Sequence, residues 1–283
     1  MDHLSLVFFT VLAQASIGLF IVLGILHFTV KPTNNTLSKG FLFVWPLFGV
    51  AILFSLTHLG QPLRAFNVLT GLAHGSPLSI EIASSIIFGG FGFVYTVLQW
   101  FKLGSELLRK SLLIVTMMIG LWLLLAISNV YTLEGVVAWS SLLTPLQFFS
   151  TGLLLGVASA IVIIHVIQSK STDQSDMVCR SIQMSTTTLL GIGILASMSV
   201  FAAFLVHVGR SGDITHNLDS YIVMARVISA LIGATLCLAY VIKPASHHKL
   251  TITLSMSFGL LLLLTSELSA RVIFYDMYHA SGM

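Results

Sequence analysis

The stretch Leu4–Phe28 has the sequence LSLVFFTVLAQASIGLFIVLGILHF and contains no Asp, Glu, Lys or Arg. A helix needs about 20 apolar residues to cross a bilayer, so this run is long enough for one membrane span. The run is also longer than the apolar core of a signal peptide, and no basic segment precedes it. We therefore expect the first helix to be retained as a span.

Seven more apolar runs follow, which predicts an all-α polytopic membrane protein with eight transmembrane helices in a bundle. The composition agrees, because 56% of the 283 residues are apolar and only 8% are charged, against about 25% charged in soluble domains. The connections are too short for a soluble domain, so residues 1–283 are expected to form a single integral-membrane domain. The predicted spans are 4–28, 41–58, 78–101, 111–131, 144–168, 183–208, 221–242 and 250–275.

The basic residues predict the orientation of the protein. Nine of the thirteen Lys and Arg side chains fall in the odd-numbered connections, and connections rich in Lys and Arg stay on the cytoplasmic side. Both termini are therefore expected outside, in the periplasm. Because these residues are scattered singly, the basic pI of about 9.0 does not indicate a nucleic-acid surface. The nine residues are Lys31, Lys39, Lys102, Arg109, Lys110, Lys170, Arg180, Lys243 and Lys249.

Ionisable side chains are rare within the predicted spans, and such side chains usually mark a site or pathway. With external termini, all of the notable ones fall at the outer ends of their helices, which predicts a polar pocket open toward the outer leaflet. At 1.5 Å per residue, Glu267 is expected about 12 Å deep. The group comprises His58, Glu81, His207, Arg226, Glu267 and Arg271, with neutral Asn129 and Tyr131 beside them.

Structural roles are an alternative explanation for four of these residues. His58 precedes Gly60 and Pro62, a common helix stop. Glu81 follows a Pro near a helix start, where a negative charge is favourable. Glu267 and Arg271 have the spacing of an ion pair within one helix.

A pocket of this type fits the chemistry of a quinol, which approaches protein sites from within the lipid. Its oxidation needs a proton acceptor, a role that histidine suits. The developing oxyanion needs a cation such as arginine, and a carboxylate can carry the proton outward. These residue types permit a quinol site but do not select it.

Two other classes compete with this interpretation. A haem-b cytochrome needs paired axial histidines at matching depth, for which His58 with His207 or His27 with His165 could serve. A secondary transporter would favour charges near the midplane and repeated halves, and the sequence has neither. Cys179 and Cys237 stand alone, so we expect no cysteine-ligated cluster or zinc site in this protein.

The run Thr57–Asn67, THLGQPLRAFN, followed by Ser79–Ala83, SIEIA, resembles the membrane-anchor subunit of bacterial dimethyl sulfoxide reductases. The likeness covers essentially the whole sequence. Further matching positions are Thr144, Pro145, Phe148, Phe149, Arg226, Glu267, Leu268, Arg271, Phe274 and Tyr275.

This resemblance implies an anchor in the bacterial cytoplasmic membrane that oxidises menaquinol for anaerobic respiration and has no haem, metal or cluster of its own. It implies electron transfer to a ferredoxin-like subunit with four iron–sulfur clusters, and then to a molybdopterin catalytic subunit. The anchor itself would not act on the terminal substrate. The residues matching His58 and Glu81 are associated with the quinol site in that family.

We therefore expect His58 to accept a quinol proton and Glu81 to relay it outward, with Arg64 holding the head group. Glu267 and Arg271 are expected to line or brace the pocket. The outer segments Leu63–Leu72 and Gly209–Ser220 are candidate docking surfaces for the partner subunits. The sequence assigns no role to Asn129, Tyr131, His207 or Arg226, and the terminal acceptor and the direction of electron flow stay open.

Overall fold

The structure is a computed structural model that describes residues 4–30, 34–58, 70–132, 135–136, 138–169, 176–210, 220–242 and 249–280. Within these ranges the regular secondary structure is entirely helical. Its α-helices are α1 (Leu4–Thr29), α2 (Asn34–Leu42), α3 (Val44–His58), α4 (Pro77–Trp100), α5 (Glu106–Val130), α6 (Leu143–Ser169), α7 (Asp176–Arg210), α8 (Ser220–Ile242) and α9 (Lys249–Ala280).

Eight segments are long and apolar enough to cross a membrane, which confirms the predicted all-α fold with eight spans. The second span differs from its predicted bounds. It extends over Ser38–Thr57 because the short helix α2 runs into α3 with only Phe43 between them. The external termini and the single-domain organisation stay predictions.

Helices α1 and α6 form the centre of the bundle and are its most buried spans. Their backbones touch where glycines face each other: a Cβ atom added at Gly156 would lie 2.3 Å from the carbonyl carbon of Gly18. Gly152 and Gly156 belong to a small-xxx-small row, the pattern that lets membrane helices approach closely. The absence of side chains here brings α1 and α6 into direct backbone contact.

An aromatic layer joins α1 to α3 and α4. Phe20 of α1 packs edge-on against Phe88 and Tyr95 of α4, with ring centroids 5.7 and 5.8 Å apart. Phe48 of α3 packs against the same Phe88 at 5.4 Å. Trp45 donates a hydrogen bond of 3.0 Å to Thr96, so α3 and α4 run antiparallel and in a fixed register.

Candidate functional site

Glu81 is held near the start of α4 by a tight turn. Residues 70–74 form a 3-10 turn, and the Ser76 N–H donates to the Gly71 carbonyl at 3.1 Å. Gly75 has a φ of 67°, a left-handed conformation that glycine adopts without steric penalty. Pro77 then occupies the first helical position, where its missing N–H costs nothing. The turn therefore fixes where α4 begins and which face carries Glu81.

The Glu81 carboxylate is buried, with 4% of the residue exposed. One turn further along α4, Ser84 accepts a 3.1 Å hydrogen bond from Trp122 of α5, which anchors this face against α5. Within the part of the protein that the structure describes, the Glu81 carboxylate has no hydrogen bond or salt bridge. An intramembrane carboxylate without a partner is energetically costly and is commonly functional. Its burial argues against a role as a helix-end charge alone.

A wall of aromatic side chains lies beside Glu81. Tyr131 packs edge-on against Tyr275 at 5.2 Å, and both hydroxyl groups lie within electrostatic range of each other and of the Glu81 carboxyl group. Trp139 stacks on Phe274 with centroids 4.9 Å apart and donates to the Phe274 carbonyl at 2.8 Å. Trp139 is buried, and its contact with Phe274 makes it part of this wall. The wall connects the end of α5 to α9 at the same end of the bundle as Glu81.

Arg271 lies next to Phe274 of this wall, with 5.4 Å between its guanidinium carbon and the ring centroid, and is 2% exposed. The same carbon lies 3.7 Å from the centroid of the Phe148 ring, and Nη2 of Arg271 donates to Gln14 Oε1 at 3.0 Å. Among the described residues, its Nε and Nη1 have no hydrogen-bond partner. A buried arginine is thus held over an aromatic ring with two nitrogen atoms that have no acceptor.

The carboxylate of Glu267 is paired with an arginine of another helix. Its Oε1 lies 3.6 Å from Nη2 of Arg226 in α8, and both residues are buried. The two carboxylate oxygens accept 2.6 Å hydrogen bonds, one from Ser197 and one from Thr151. Arg226 donates to the same Ser197 hydroxyl at 2.9 Å and stacks over Phe201 at 4.0 Å.

The alternative explanation, an ion pair between Glu267 and Arg271 within one helix, therefore does not match the structure. Arg226 approaches from α8, and three helices supply the groups that surround the Glu267 carboxylate. Arg271 instead turns toward Gln14 and Phe148. The last span ends at Met277, ten residues beyond Glu267. At 1.5 Å per residue, Glu267 therefore lies about 15 Å from the end of its span.

His58 ends α3, and its backbone lies at the same end of the bundle as Glu81. Phe48 and Phe88 are in contact, and the two helices are antiparallel. His58 lies ten residues beyond Phe48, about 15 Å, and Glu81 lies seven residues before Phe88, about 10 Å. The side chain of His58, all of Arg64, and most of the segments Leu63–Leu72 and Gly209–Ser220 lie outside the described residues.

Two side chains of the outer group are less buried than Glu81, Arg226, Glu267 and Arg271. Asn129 is exposed at the end of α5, and His207 is half-buried in α7. Gln14, by contrast, joins the network although the sequence analysis did not single it out. It is a lone amide in the middle of the most apolar segment, and polar side chains of this kind bond across membrane helices. That signal could have found it.

No group of three or more His, Cys, Asp and Glu side chains among the described residues could hold a metal ion. Cys237 is buried and Cys179 is half-buried, and neither forms a disulfide within the described ranges.

The eight long apolar helices define a polytopic helical membrane protein. Residues 1–277 match the family described as DMSO reductase anchor subunit (DmsC), and the protein belongs to this family. An anchor subunit is one component of a reductase complex, whose catalytic and electron-transfer subunits are other polypeptides. The family and the eight apolar helices together describe a multi-pass protein of the inner membrane.

Relatives with known names cover nearly the whole sequence. YnfH, an anaerobic dimethyl sulfoxide reductase subunit of Escherichia coli, is 30% identical over 98% of this protein and 95% of its own length. The C subunit of the anaerobic dimethyl sulfoxide reductase of Escherichia coli is 30% identical, over 98% and 96%. The C subunit from Haemophilus influenzae is 27% identical over 99% and 96%. No solved structure matches this protein.

Proposed function

We propose that this subunit oxidises menaquinol near the periplasmic face and passes the electrons to an iron–sulfur partner. The observation that carries the proposal is the buried carboxylate of Glu81, which lies beside the Tyr131–Tyr275 pair with no counter-charge among the described residues. A bilayer protein tolerates such a group when the group has a function. Membership of the anchor family supports the same assignment, because the relatives are subunits of dimethyl sulfoxide reductases.

The reaction removes two electrons and two protons from the quinol and leaves the quinone. His58 accepts a proton from one hydroxyl of the head group as general base. Glu81, which lies about 5 Å deeper along its helix than His58 by the helical rise, takes part in carrying protons to the outer surface. Arg64 holds the head group through a charge-assisted hydrogen bond.

Arg271 has the donors to support the oxygen that becomes negative during oxidation. Its Nε and Nη1 have no partner within the described ranges, and its position is fixed by Phe148 and Gln14. Donors fixed in advance stabilise developing charge strongly where water is excluded. Both carboxylate oxygens of Glu267 already have partners in Arg226, Ser197 and Thr151. We therefore assign Glu267 a structural role in supporting the aromatic wall.

The electron acceptor is a ferredoxin-like subunit with four iron–sulfur clusters, docked on the outer connections and linked to a molybdopterin catalytic subunit. Leu63–Leu72 and Gly209–Ser220 are the segments proposed to meet that subunit. The first of them joins the helix ends that carry His58 and Glu81, so a docked cluster would lie close to the quinol. This arrangement keeps the electron path short.

The test uses the complete complex in membrane vesicles, with menaquinol as the donor. Glu81→Gln and His58→Asn should each reduce quinol-driven turnover at least about a hundredfold, the range expected for a lost general base. Activity driven by a viologen dye, which reduces the other subunits directly, should not change. Glu106→Gln is the matched control, because Glu106 is an exposed carboxylate in α5 and should leave quinol turnover at its normal level.

Normal quinol turnover in Glu81→Gln, with the complex assembled, would remove Glu81 from the mechanism. Loss of both quinol-driven and dye-driven activity would mean that the complex fails to assemble. In that case, direct titration of menaquinol binding to the anchor subunit in its membrane decides whether the site is present. Unchanged quinol-driven turnover in both variants would overturn the proposed site.

A further inference from the structure

A second polar site lies at the opposite end of the bundle from Glu81. There the ends of α1 and α4 meet the start of α5 around a cavity of about 120 Å³. That volume is several times what one water molecule occupies. The cavity is lined by His27, Tyr95, Gln99, Glu106, Arg109 and Lys110.

Tyr95 contributes a buried hydroxyl that has no partner within the described ranges. Only 1% of the residue is exposed, and its ring packs edge-on against Phe41 and Phe20 at 5.0 and 5.8 Å. Among the described residues, the hydroxyl makes no hydrogen bond. A buried donor left unsatisfied is destabilising, by more than an average hydrogen bond contributes. The packing therefore holds a free donor at the wall of a polar cavity.

The charged side chains around the cavity leave Arg109 as an excess positive charge. Lys110 is paired with Glu106, so the carboxylate that lines the cavity is already neutralised. Nη1 of Arg109 donates hydrogen bonds to the Leu103 and Gly104 carbonyls at 3.1 and 2.8 Å. The other nitrogen atoms of its guanidinium are available for a ligand. The cavity also lies at the amino end of α5, where the helix dipole favours an anion.

We propose that this cavity binds a phosphate group, either on the head group of an anionic phospholipid or as free phosphate. Arg109 supplies the charge, and Tyr95, Gln99 and His27 supply neutral hydrogen-bonding groups. Arginine is the side chain best suited to phosphate oxygens. In the orientation that the basic residues predict, this end faces the cytoplasm, where basic pockets between membrane helices bind anionic head groups.

The surroundings of the cavity place it at the level of lipid head groups. Trp100 and Phe101 end α4 with exposed side chains, as is common for aromatic residues at a membrane interface. Leu103 and Leu107 are also exposed, which gives acyl chains an apolar surface next to the polar cavity. A phospholipid could thus place its phosphate in the cavity and its acyl tails along α4 and α5.

The test is native mass spectrometry of the full-length protein, delipidated in detergent and offered phosphatidylglycerol or phosphatidylcholine. The wild-type protein should bind one phosphatidylglycerol molecule more tightly than any further phosphatidylglycerol molecules. It should bind phosphatidylcholine more weakly than that first phosphatidylglycerol. Tyr95→Phe keeps the ring packing and removes only the hydroxyl, so affinity should fall about tenfold. Arg109→Gln should lower it at least as much. Lys102→Gln, an exposed basic residue outside the lining, should bind like the wild type.

An excess of inorganic phosphate distinguishes a lipid head group from free phosphate as the natural ligand of the cavity. Displacement of phosphatidylglycerol by phosphate would identify a free-anion site, and retention would identify the lipid. The proposal is overturned if Tyr95→Phe and Arg109→Gln bind phosphatidylglycerol as tightly as the wild type. It is also overturned if the wild type binds phosphatidylcholine equally well.

Discussion

Arg226 in α8 and Glu267 in α9 form an ion pair inside the bundle, with 3.6 Å between Nη2 and Oε1. Both residues are buried, and Ser197 of α7 bonds to both of them. Thr151 of α6 completes the cage around the carboxylate. Four helices therefore meet at one carboxylate, and this carboxylate fixes how α8 and α9 sit against α6 and α7.

Removing one member of this pair should destabilise the subunit. Glu267→Leu leaves the Arg226 guanidinium buried without its counter-charge, and the free energy of unfolding should fall by about 3 kcal/mol. Thermal unfolding of the purified protein in detergent measures the change. The double variant Arg226→Leu with Glu267→Leu should recover most of the loss. A double variant as unstable as the single one would mean that the hydrogen bonds, and not the charges, carry the effect.

Arg271 should affect quinol oxidation more than assembly. Arg271→Lys keeps the charge but loses the stacking on Phe148, since lysine is not a substitute at a stacked site. The kcat of menaquinol-driven turnover should fall at least about tenfold, while viologen-driven activity stays constant. Gln14→Leu removes the acceptor that positions Arg271 and should lower kcat by less. An unchanged kcat in both variants would exclude Arg271 from the site.

The contact of α1 and α6 predicts opposite effects for two glycine substitutions. Gly156→Ala would place a Cβ 2.3 Å from the Gly18 backbone, and overpacking of this kind costs about 1–3 kcal/mol. Gly90→Ala is the control, because nothing lies within 4 Å of the added atom. Alanine is the better helix former by up to about 1 kcal/mol, so Gly90→Ala should be neutral or stabilising. Equal effects in detergent unfolding would contradict the close approach.

The orientation can be tested with single cysteines in a background that has Cys179→Ser and Cys237→Ala. Lys102 and Thr132 are exposed at opposite ends of α5. In intact cells a membrane-impermeant thiol reagent should label Thr132→Cys and spare Lys102→Cys. Inverted vesicles should give the reverse pattern. Labelling of Lys102→Cys from outside would turn the Glu81 site toward the cytoplasm and remove the proposed route to an external partner.

The spans could be predicted from the sequence because the need to satisfy backbone hydrogen bonds in lipid acts on each segment separately. A helix in lipid satisfies its own backbone groups, so length and apolarity suffice to find it. The start of α4 is also set by the local sequence, since Pro77 occupies its first position. The break at Phe43 was not visible, because both flanking segments are helical.

The pairings within the site could not be predicted, because they depend on which helices become neighbours. Glu267 has a suitable partner four residues away in Arg271, and local spacing favours that pair. Arg226 meets Glu267 only because α8 and α9 pack closely where Gly233 and Gly259 face each other. Helical spacing carries no information about such contacts between helices.

The central position of α1 has a consequence for biogenesis. This helix is synthesised before α9, yet Gln14 accepts a hydrogen bond from Arg271, 257 residues later in the sequence. The amide must therefore stay in the lipid, or beside an insertase, until α9 has been inserted. Helix α1 completes its native contacts only after α9 is in place, and products truncated before α9 would expose a polar surface that quality-control proteases can recognise.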